Sequence, residues 1–499
     1  MTRRIVVFFI VIMFGIAGFA GFSPDKIKAR VSEFTLGNGL KFILLEDHSA
    51  PIAHFVTYVD AGGSDEKIGI YGISHFLEHL AFKGTSVIGT RDPKAEQQVL
   101  KKMDAVFDRI LAQQDSLNPD QELIKKYWDE LERLSAEASR YVIDNDFDAI
   151  YRKHGAVNLN ATTSMDATVY TVSLPANRIE LWALMESARF TDPVFREFYK
   201  ERAVIQEERR SVIENNPMGK LYEETLSLAF KYHPYRIIGI GSMNNIAHIT
   251  RQDVMDYFRD HYTARNLVIG VAGDVTPGEL KRLAKKYFSR FKPGRKTPRV
   301  FTGEPESAGE KTVTLYEESQ PLLLLGYRIP SLLHADFIKF ILLDHILTTS
   351  RSSRLNQRLV INDKSALGVG SMPGVPGSKY PGLYIIFTIP NVGHTTGELL
   401  SVISQEIEKI GSQSVTEEEL AAAKRKIKIR TLAELKSTSG LLMTLLEAEV
   451  LAGSWQKAFD TLTEIEKVGP ADIQALVKTY LVPGNRVVSR LEKKEEVNR

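Results

Sequence analysis

His75 and His79 stand four residues apart in Gly72-Ile73-Ser74-His75-Phe76-Leu77-Glu78-His79-Leu80, with Glu78 between them. On a helix, residues i and i+4 project from one face, so the two imidazoles can take two corners of a tetrahedral zinc site. Glu78 is three residues from His75 and lies beside both rings. A carboxylate there is placed to accept a proton from a water that the metal has made acidic. The chemistry offered is metal-assisted hydrolysis. The bland alternative is a helix with two half-exposed histidines and a surface acid, but three such groups on one face favour the metal.

A catalytic zinc takes three protein ligands and keeps one position open. The chain contains no cysteine, so the third ligand is a His, Asp or Glu. His48, His54, His154, His233, His248, His261, His334, His345 and His394 are scattered and unpaired at helical spacing. The acidic stretch Glu201-Arg202-Ala203-Val204-Ile205-Gln206-Glu207-Glu208 is a better source. Glu201 and Glu208 are two turns apart and share a face, and Val204 and Ile205 predict that this face points inward. A carboxylate on an apolar face needs a compensating partner, and a metal ion is one. Glu207 is rotated about 100° from Glu208 and is expected in solvent.

These groups need a scaffold. Residues 32–59 read as strands, with Gly37-Asn38-Gly39 as a tight hairpin turn and Gly62-Gly63 as a break, and a helix is expected over 70–82. Over 94–140, apolar residues recur at helical spacing on both sides of Asp115-Ser116-Leu117-Asn118-Pro119, predicting an antiparallel helical hairpin standing off the main body. Ala161–Leu174 returns to strand character, followed by helices at 177–190 and 195–215, a strand at 266–272 and a helix at 278–291. Residues 295–310 are turn-rich and basic at their start and read as a linker. Beyond it the pattern repeats: strands over 312–329, a helix over 336–347, a strand over 380–389, and helices over 397–411 and 416–452. Asp253-Val254 precedes Asn266-Leu267-Val268 by the same thirteen residues that separate Asp472-Ile473 from Asn485-Arg486-Val487. The expectation is an α+β fold built from two duplicated domains of antiparallel sheet packed with helices: 31–294 with the zinc motif, and 311–495 without it.

His-x-x-Glu-His is the inverzincin signature. With the flanking Gly72-Ile73-Ser74 and Leu80-Ala81-Phe82-Lys83-Gly84-Thr85, the chain resembles the pitrilysin and insulinase metallopeptidase family from about residue 32 to near its end. The resemblance implies one Zn2+ per chain held by His75, His79 and Glu208, Glu78 as general base, and Glu201 as an acid supporting the ligands. It also implies that Asn160-Ala161-Thr162 belong to an edge strand that pairs with an extended peptide. Two departures stand out. Glu208 lies 129 residues after His79, much farther than in most relatives, and the 94–140 hairpin accounts for most of the excess. An Arg and a Tyr that the family's second half uses to bind substrate align here with Asn362 and Val369. The implied function is a zinc endopeptidase acting on extended or unfolded peptides, with a related subunit, in a homodimer or heterodimer, supplying the Arg/Tyr pair. Two halves joined at 295–310 would form a clamshell around the peptide. The competing reading is a catalytically silent structural or peptide-binding subunit.

Composition narrows the field. Lys and Arg number 64 against 62 Asp and Glu, a net charge of +2 that gives no case for nucleic acid. Arg3-Arg4, an unbroken apolar or small run from Ile5 to Phe22, and Gly18-Phe19-Ala20 have the order of a secretory signal peptide. Residues 1–22 are thus a signal peptide or a retained membrane anchor, and the expected location is the periplasm, free or held at the inner membrane. No Gly-x-Ser-x-Gly elbow and no Walker A loop occurs.

Overall fold

Strands form where β-branched and aromatic residues run between turn formers. β1 (Val31–Thr35) and β2 (Lys41–Glu46) pair antiparallel. Gly39 takes a φ of 95° in their turn, and Asn38 Nδ2 donates to the carbonyls of Phe288 and Phe291, which pins the turn to the body. β3 (Ile52–Val59), β4 (Val157–Thr163), β5 (Thr168–Pro175) and β6 (Leu267–Gly273) complete a six-stranded sheet. Its order is β1-β2-β6-β3-β5-β4, so β4 is an edge. The computed structural model describes residues 24–307 and 309–494, so the expected leader at 1–22 lies outside the described residues. Among the described residues, no helix is long and apolar enough to cross a membrane.

The second sheet comprises β7 (Lys311–Glu317), β8 (Leu322–Ile329), β9 (Ala366–Val375), β10 (Gly382–Pro390) and β11 (Arg486–Lys493), in the order β7-β11-β8-β10-β9. Leaving β1 aside, the two orders match strand for strand, and the parallel pair, β2–β6 or β7–β11, occupies the same place in each. The fold is α+β, and the duplication read from Asp253 and Asp472 is this shared topology: each aspartate opens a helix, Arg251–His261 or Pro470–Tyr480, that feeds the sheet's last strand.

Several elements differ from expectation for local reasons. The stretch 161–174 is two strands, because Ser164 Oγ accepts from the amides of Asp166 and Ala167 and turns the chain. The long helix over 416–452 breaks at Ser437, whose Oγ accepts from Gly440 N and caps a new helix, Thr438–Ala452. Helices Pro93–Gln114 and Gln121–Ser139 form the expected hairpin, but it does not stand off the body. Arg202 of the Phe198–Arg209 helix lies over the Phe107 ring at 4.0 Å, and Arg251 pairs with Asp104. At the hairpin's root, buried Arg196 holds Glu96 through two bonds of 2.8 and 3.1 Å and donates to the carbonyls of Lys83, Thr85 and Ile88.

The halves interlock, which corrects the picture of two lobes opening about a linker. One face of the first sheet packs on its own half's helices, with Phe55 stacked on Trp182 at 4.3 Å. The other face, Ile43, Leu45, Val56 and Tyr58, lies under Leu442, Leu445 and Leu446 from the second half. Reciprocally, Leu322, Leu324, Leu383 and Ile385 of the second sheet lie under Leu221 and Leu226 of the first-half helix Pro217–Ala229. Separating the halves would expose both seams. The connecting stretch is itself tied down, since the Glu304 carboxylate accepts from the amides of Lys231, Tyr232 and His233.

Candidate metal centre

The helix Ile73–Leu80 begins at Gly72, whose φ of 97° suits glycine alone; a Cβ there would sit 2.4 Å from the Ile240 carbonyl oxygen. Buried Glu66 accepts from the amides of Gly72 and Ser74, satisfying donors that a helix start leaves open. Ile73, Phe76, Leu77 and Leu80 are buried, which turns His75, Glu78 and His79 the other way. Phe76 stacks on Phe198 at 4.7 Å and 8°, fixing this helix against the helix that carries Glu201 and Glu208.

His75 Nε2 lies 3.7 Å from Glu208 Oε1, and His79 Nε2 lies 3.7 Å from Glu208 Oε2. One ligand atom from each of the three residues fits within 4.8 Å of the others. These separations are too long for hydrogen bonds. They are close to the edge of a zinc tetrahedron, about 3.4 Å for bonds of about 2.1 Å. Two nitrogens and one carboxylate oxygen converging without bonding one another are the donor set of an open zinc site, so the residues present fit the metal.

Burial pushes the His75 imidazole down to about 4, and its Nδ1 has no hydrogen-bond partner, so the ring is neutral, the form that binds a metal. Burial also acts to depress His79, but the bond from its Nδ1 to Glu201 Oε2 at 3.3 Å, with Glu201, Glu208 and Glu78 nearby, outweighs it and raises the pKa. Burial acts to raise Glu201, but His79 and the Lys83 ammonium at 2.6 Å hold its carboxyl below the usual value. Burial pushes the Glu78 carboxyl up, against Thr163 Oγ1, which donates to Glu78 Oε2 at 2.6 Å.

The structure thus brings together His75, Glu78, His79, Glu201 and Glu208. Asn160, Ala161 and Thr162 lie on edge strand β4, and its next residue, Thr163, is the one that touches Glu78. Thr163 and Lys83 are the residues that sequence reasoning missed. Lys83 was open to discovery, because it stands one turn beyond His79. Val204, expected to face inward with Ile205, is instead 45% exposed while Ile205 is buried. Glu207 is in solvent as expected and pairs with Arg210.

The second half holds a worn counterpart. Its helix Phe337–Leu347 follows β8 as Ile73–Leu80 follows β3, and Asp344-His345 takes the place of Glu78-His79. Ser371 of β9 donates to Asp344 Oδ1 at 2.5 Å, as Thr163 of β4 does to Glu78. Ile341 stands where His75 would, and the His75–His79–Glu208 group is the one cluster able to hold a metal among the described residues. Asn362 is exposed at the end of a short helical turn, Asn356–Asn362, and Val369 is half-buried on β9.

Residues 41–105 match the family described as "Insulinase (Peptidase family M16)", and residues 248–427 match "Peptidase M16 inactive domain". The chain is 28% identical over 416 residues to the zinc protease PqqE of Helicobacter pylori, covering 81% of this chain and 80% of that protein. It is 26% identical over 274 residues to the mitochondrial-processing peptidase subunit beta of Neurospora crassa, covering 54% of this chain and 45% of that one. Its fold matches the crystal structure of a protease from Helicobacter pylori with a TM-score of 0.76 at 23% identity, covering 93% of this chain and 99% of that one.

Proposed function

Because this chain belongs to the pitrilysin/insulinase (M16) family of zinc proteases, we propose that it is a zinc-dependent endopeptidase for extended or unfolded peptides. The observation that carries this is the convergence of His75, His79 and Glu208 beside the half-buried Glu78. When bound, one Zn2+ per chain supplies a Lewis acid that polarises a carbonyl and makes a water acidic near neutral pH. Glu78 takes a proton from that water and returns it to the leaving amine. Thr163 holds one oxygen of Glu78, leaving the other for the proton. Glu201, steadied by Lys83, fixes the His79 ring so that Nε2 faces the centre; it is a positioning residue. Asn160, Ala161 and Thr162 lie on β4, whose outer edge is where an extended peptide would add as a further strand and be read by its main chain.

With Asn362 and Val369 at the Arg and Tyr positions, the chain is the zinc-bearing half of a working unit. A related subunit, a second copy or a different chain, supplies the missing pair. A relative named as a subunit supports this arrangement. Export to the periplasm, with residues 1–22 cleaved or retained as an anchor, completes the reading. The silent-subunit alternative draws on the match to an inactive domain, but residues 248–427 contain none of the five site residues. The test is zinc content and cleavage of a quenched unstructured peptide, by the chain alone and with a related subunit, beside Glu78→Gln. Zinc at one per chain, with turnover that is chelator-sensitive and lost in Glu78→Gln while the metal stays, is the expected result. Turnover surviving in Glu78→Gln, or no zinc bound, sinks the proposal.

A further inference from the structure

The metal centre is continued by an apolar groove. The Phe198–Arg209 helix runs on through one wider turn, Arg210–Glu214, which places Val212 about one turn beyond Glu208. Val212 opens a groove of about 590 Å³ that it lines with Met218, Tyr222, Met372, Val375 and Phe387. Its floor is the part of the second sheet that the Pro217–Ala229 helix leaves uncovered. There the Phe387 ring lies over its cross-strand partner Gly370, where a Cβ would meet the ring at 2.5 Å. Val212, Met218, Met372 and Phe387 remain 41% to 55% exposed. An exposed apolar surface of this kind marks a binding site more often than chance.

Two observations say what covers it. First, β4 leads there: Thr163 touches Glu78, and two residues on, Met165 is buried in the same cluster as Val375 and Tyr222. A peptide laid along β4 therefore passes the metal centre and runs toward the groove. Second, one helical turn is about 5.4 Å and an extended residue spans about 3.3 Å, so the groove begins roughly two residues from the scissile bond. The two methionines give adaptable walls, suited to apolar side chains of differing shape.

We propose that this groove is a specificity site that takes a large aliphatic or aromatic side chain of the peptide, two or three residues from the bond that is cut. The inference rests on the peptidase reading, and its test is a binding measurement separable from turnover. Fluorescence anisotropy is measured on the full zinc-loaded chain carrying Glu78→Gln, with labelled unstructured peptides that differ only by Leu, Phe or Ser at each successive position. The Leu and Phe peptides are expected to bind about tenfold tighter than the Ser peptide at one position. Adding Met372→Glu or Met218→Glu, both at exposed sites that tolerate a charge, brings that ratio near one. Equal affinities in the Glu78→Gln chain overturn the groove and leave the peptidase reading intact. A tenfold preference with no turnover by the unmutated chain, either alone or with a related subunit, keeps the groove and removes the peptidase. If Met372→Glu turns a dimer into a monomer in sedimentation while the preference persists, a second copy covers this face and the proposal falls.

Discussion

Glu201→Gln separates a group that orients a metal ligand from one that only fills space. Glu201 is 7% exposed, accepts from Lys83 Nζ at 2.6 Å, and meets His79 Nδ1 at 3.3 Å. Glutamine keeps the shape and an acceptor oxygen but removes the charge. A hydrogen bond to an ionised group is worth roughly 1.5–3 kcal/mol, against about 0.5–1.5 for a neutral pair. The loss at His79 is therefore about 1–1.5 kcal/mol, or roughly tenfold in zinc affinity, within the 10–100-fold range typical of such partners. The assay is competition for zinc against a chromogenic chelator at neutral pH, with apo-protein unfolding followed in parallel. Lys83→Met leaves the Glu201 charge in place and should weaken zinc less than Glu201→Gln does. A zinc Kd for Glu201→Gln within twofold of the unmutated chain, with the apo fold equally stable, would refute the reasoning.

Gly72→Ala forces a side chain into a left-handed position against the Ile240 carbonyl, so it should cost at least about 1–2 kcal/mol in urea unfolding and lower zinc content with it. Leu442→Ala removes a fully buried side chain that packs from the second half onto the first sheet at Gly270. It should cost about 2–5 kcal/mol and shift near-UV and far-UV transitions together, because both halves share the seam. His233 and His261 are each held down to about 4 by burial, against roughly 6.5 in the unfolded chain. Above about pH 6.5 neither state takes the proton; between about 6.5 and 4 the unfolded chain takes it and the folded chain does not, so stability falls as the medium is acidified. The slope is up to about 1.4 kcal/mol per pH unit per histidine, and His261→Gln should flatten the midpoint-against-pH curve.

The convergence of His75, His79 and Glu208 was legible because its signal is local: i, i+4 spacing in one helix, and a second helix whose acids are two turns apart. What escaped was tertiary. Thr163 reaches Glu78 only because β4 returns to the sheet's edge beside the Ile73–Leu80 helix, and no spacing encodes that return. Val204 defeated the inward reading because its helix is buried on the side of Phe198, Arg202, Ile205 and Arg209, while Val204, Glu208 and Val212 follow one another on the opposite, open side. Buried Arg202 and Arg209 carry the core-facing stripe through aliphatic stems, so a pattern counted on apolar residues misplaces the face. The interlocked halves were hidden for the same reason. Leu442 and Leu446 read as an ordinary helical stripe, and nothing in that stripe names the other half's sheet as its partner.

The paired contacts Thr163–Glu78 and Ser371–Asp344 allow fold and chemistry to be told apart within one molecule. The second half has Ile341 in the place of the first histidine and, among the described residues, no third carboxylate ligand, yet it has the bond from edge strand to helix acid. A contact present where the described residues form no three-ligand group serves the sheet: it ties β9 to the helix beside it, as Thr163 ties β4. A single hydrogen bond to a carboxylate is worth about 1.5–3 kcal/mol. Ser371→Ala and Thr163→Val should therefore destabilise the chain by similar amounts in urea. On the proposed mechanism only Thr163→Val should reduce kcat as well, because it alone frees the carboxylate assigned to meet the water. If Thr163→Val costs stability but leaves kcat unchanged, Glu78 is held by its own helix and Thr163 is purely structural. If neither substitution affects stability, both bonds are exchanged for water without loss, and the retained contact in the second half is an accident of duplication rather than a constraint of the fold.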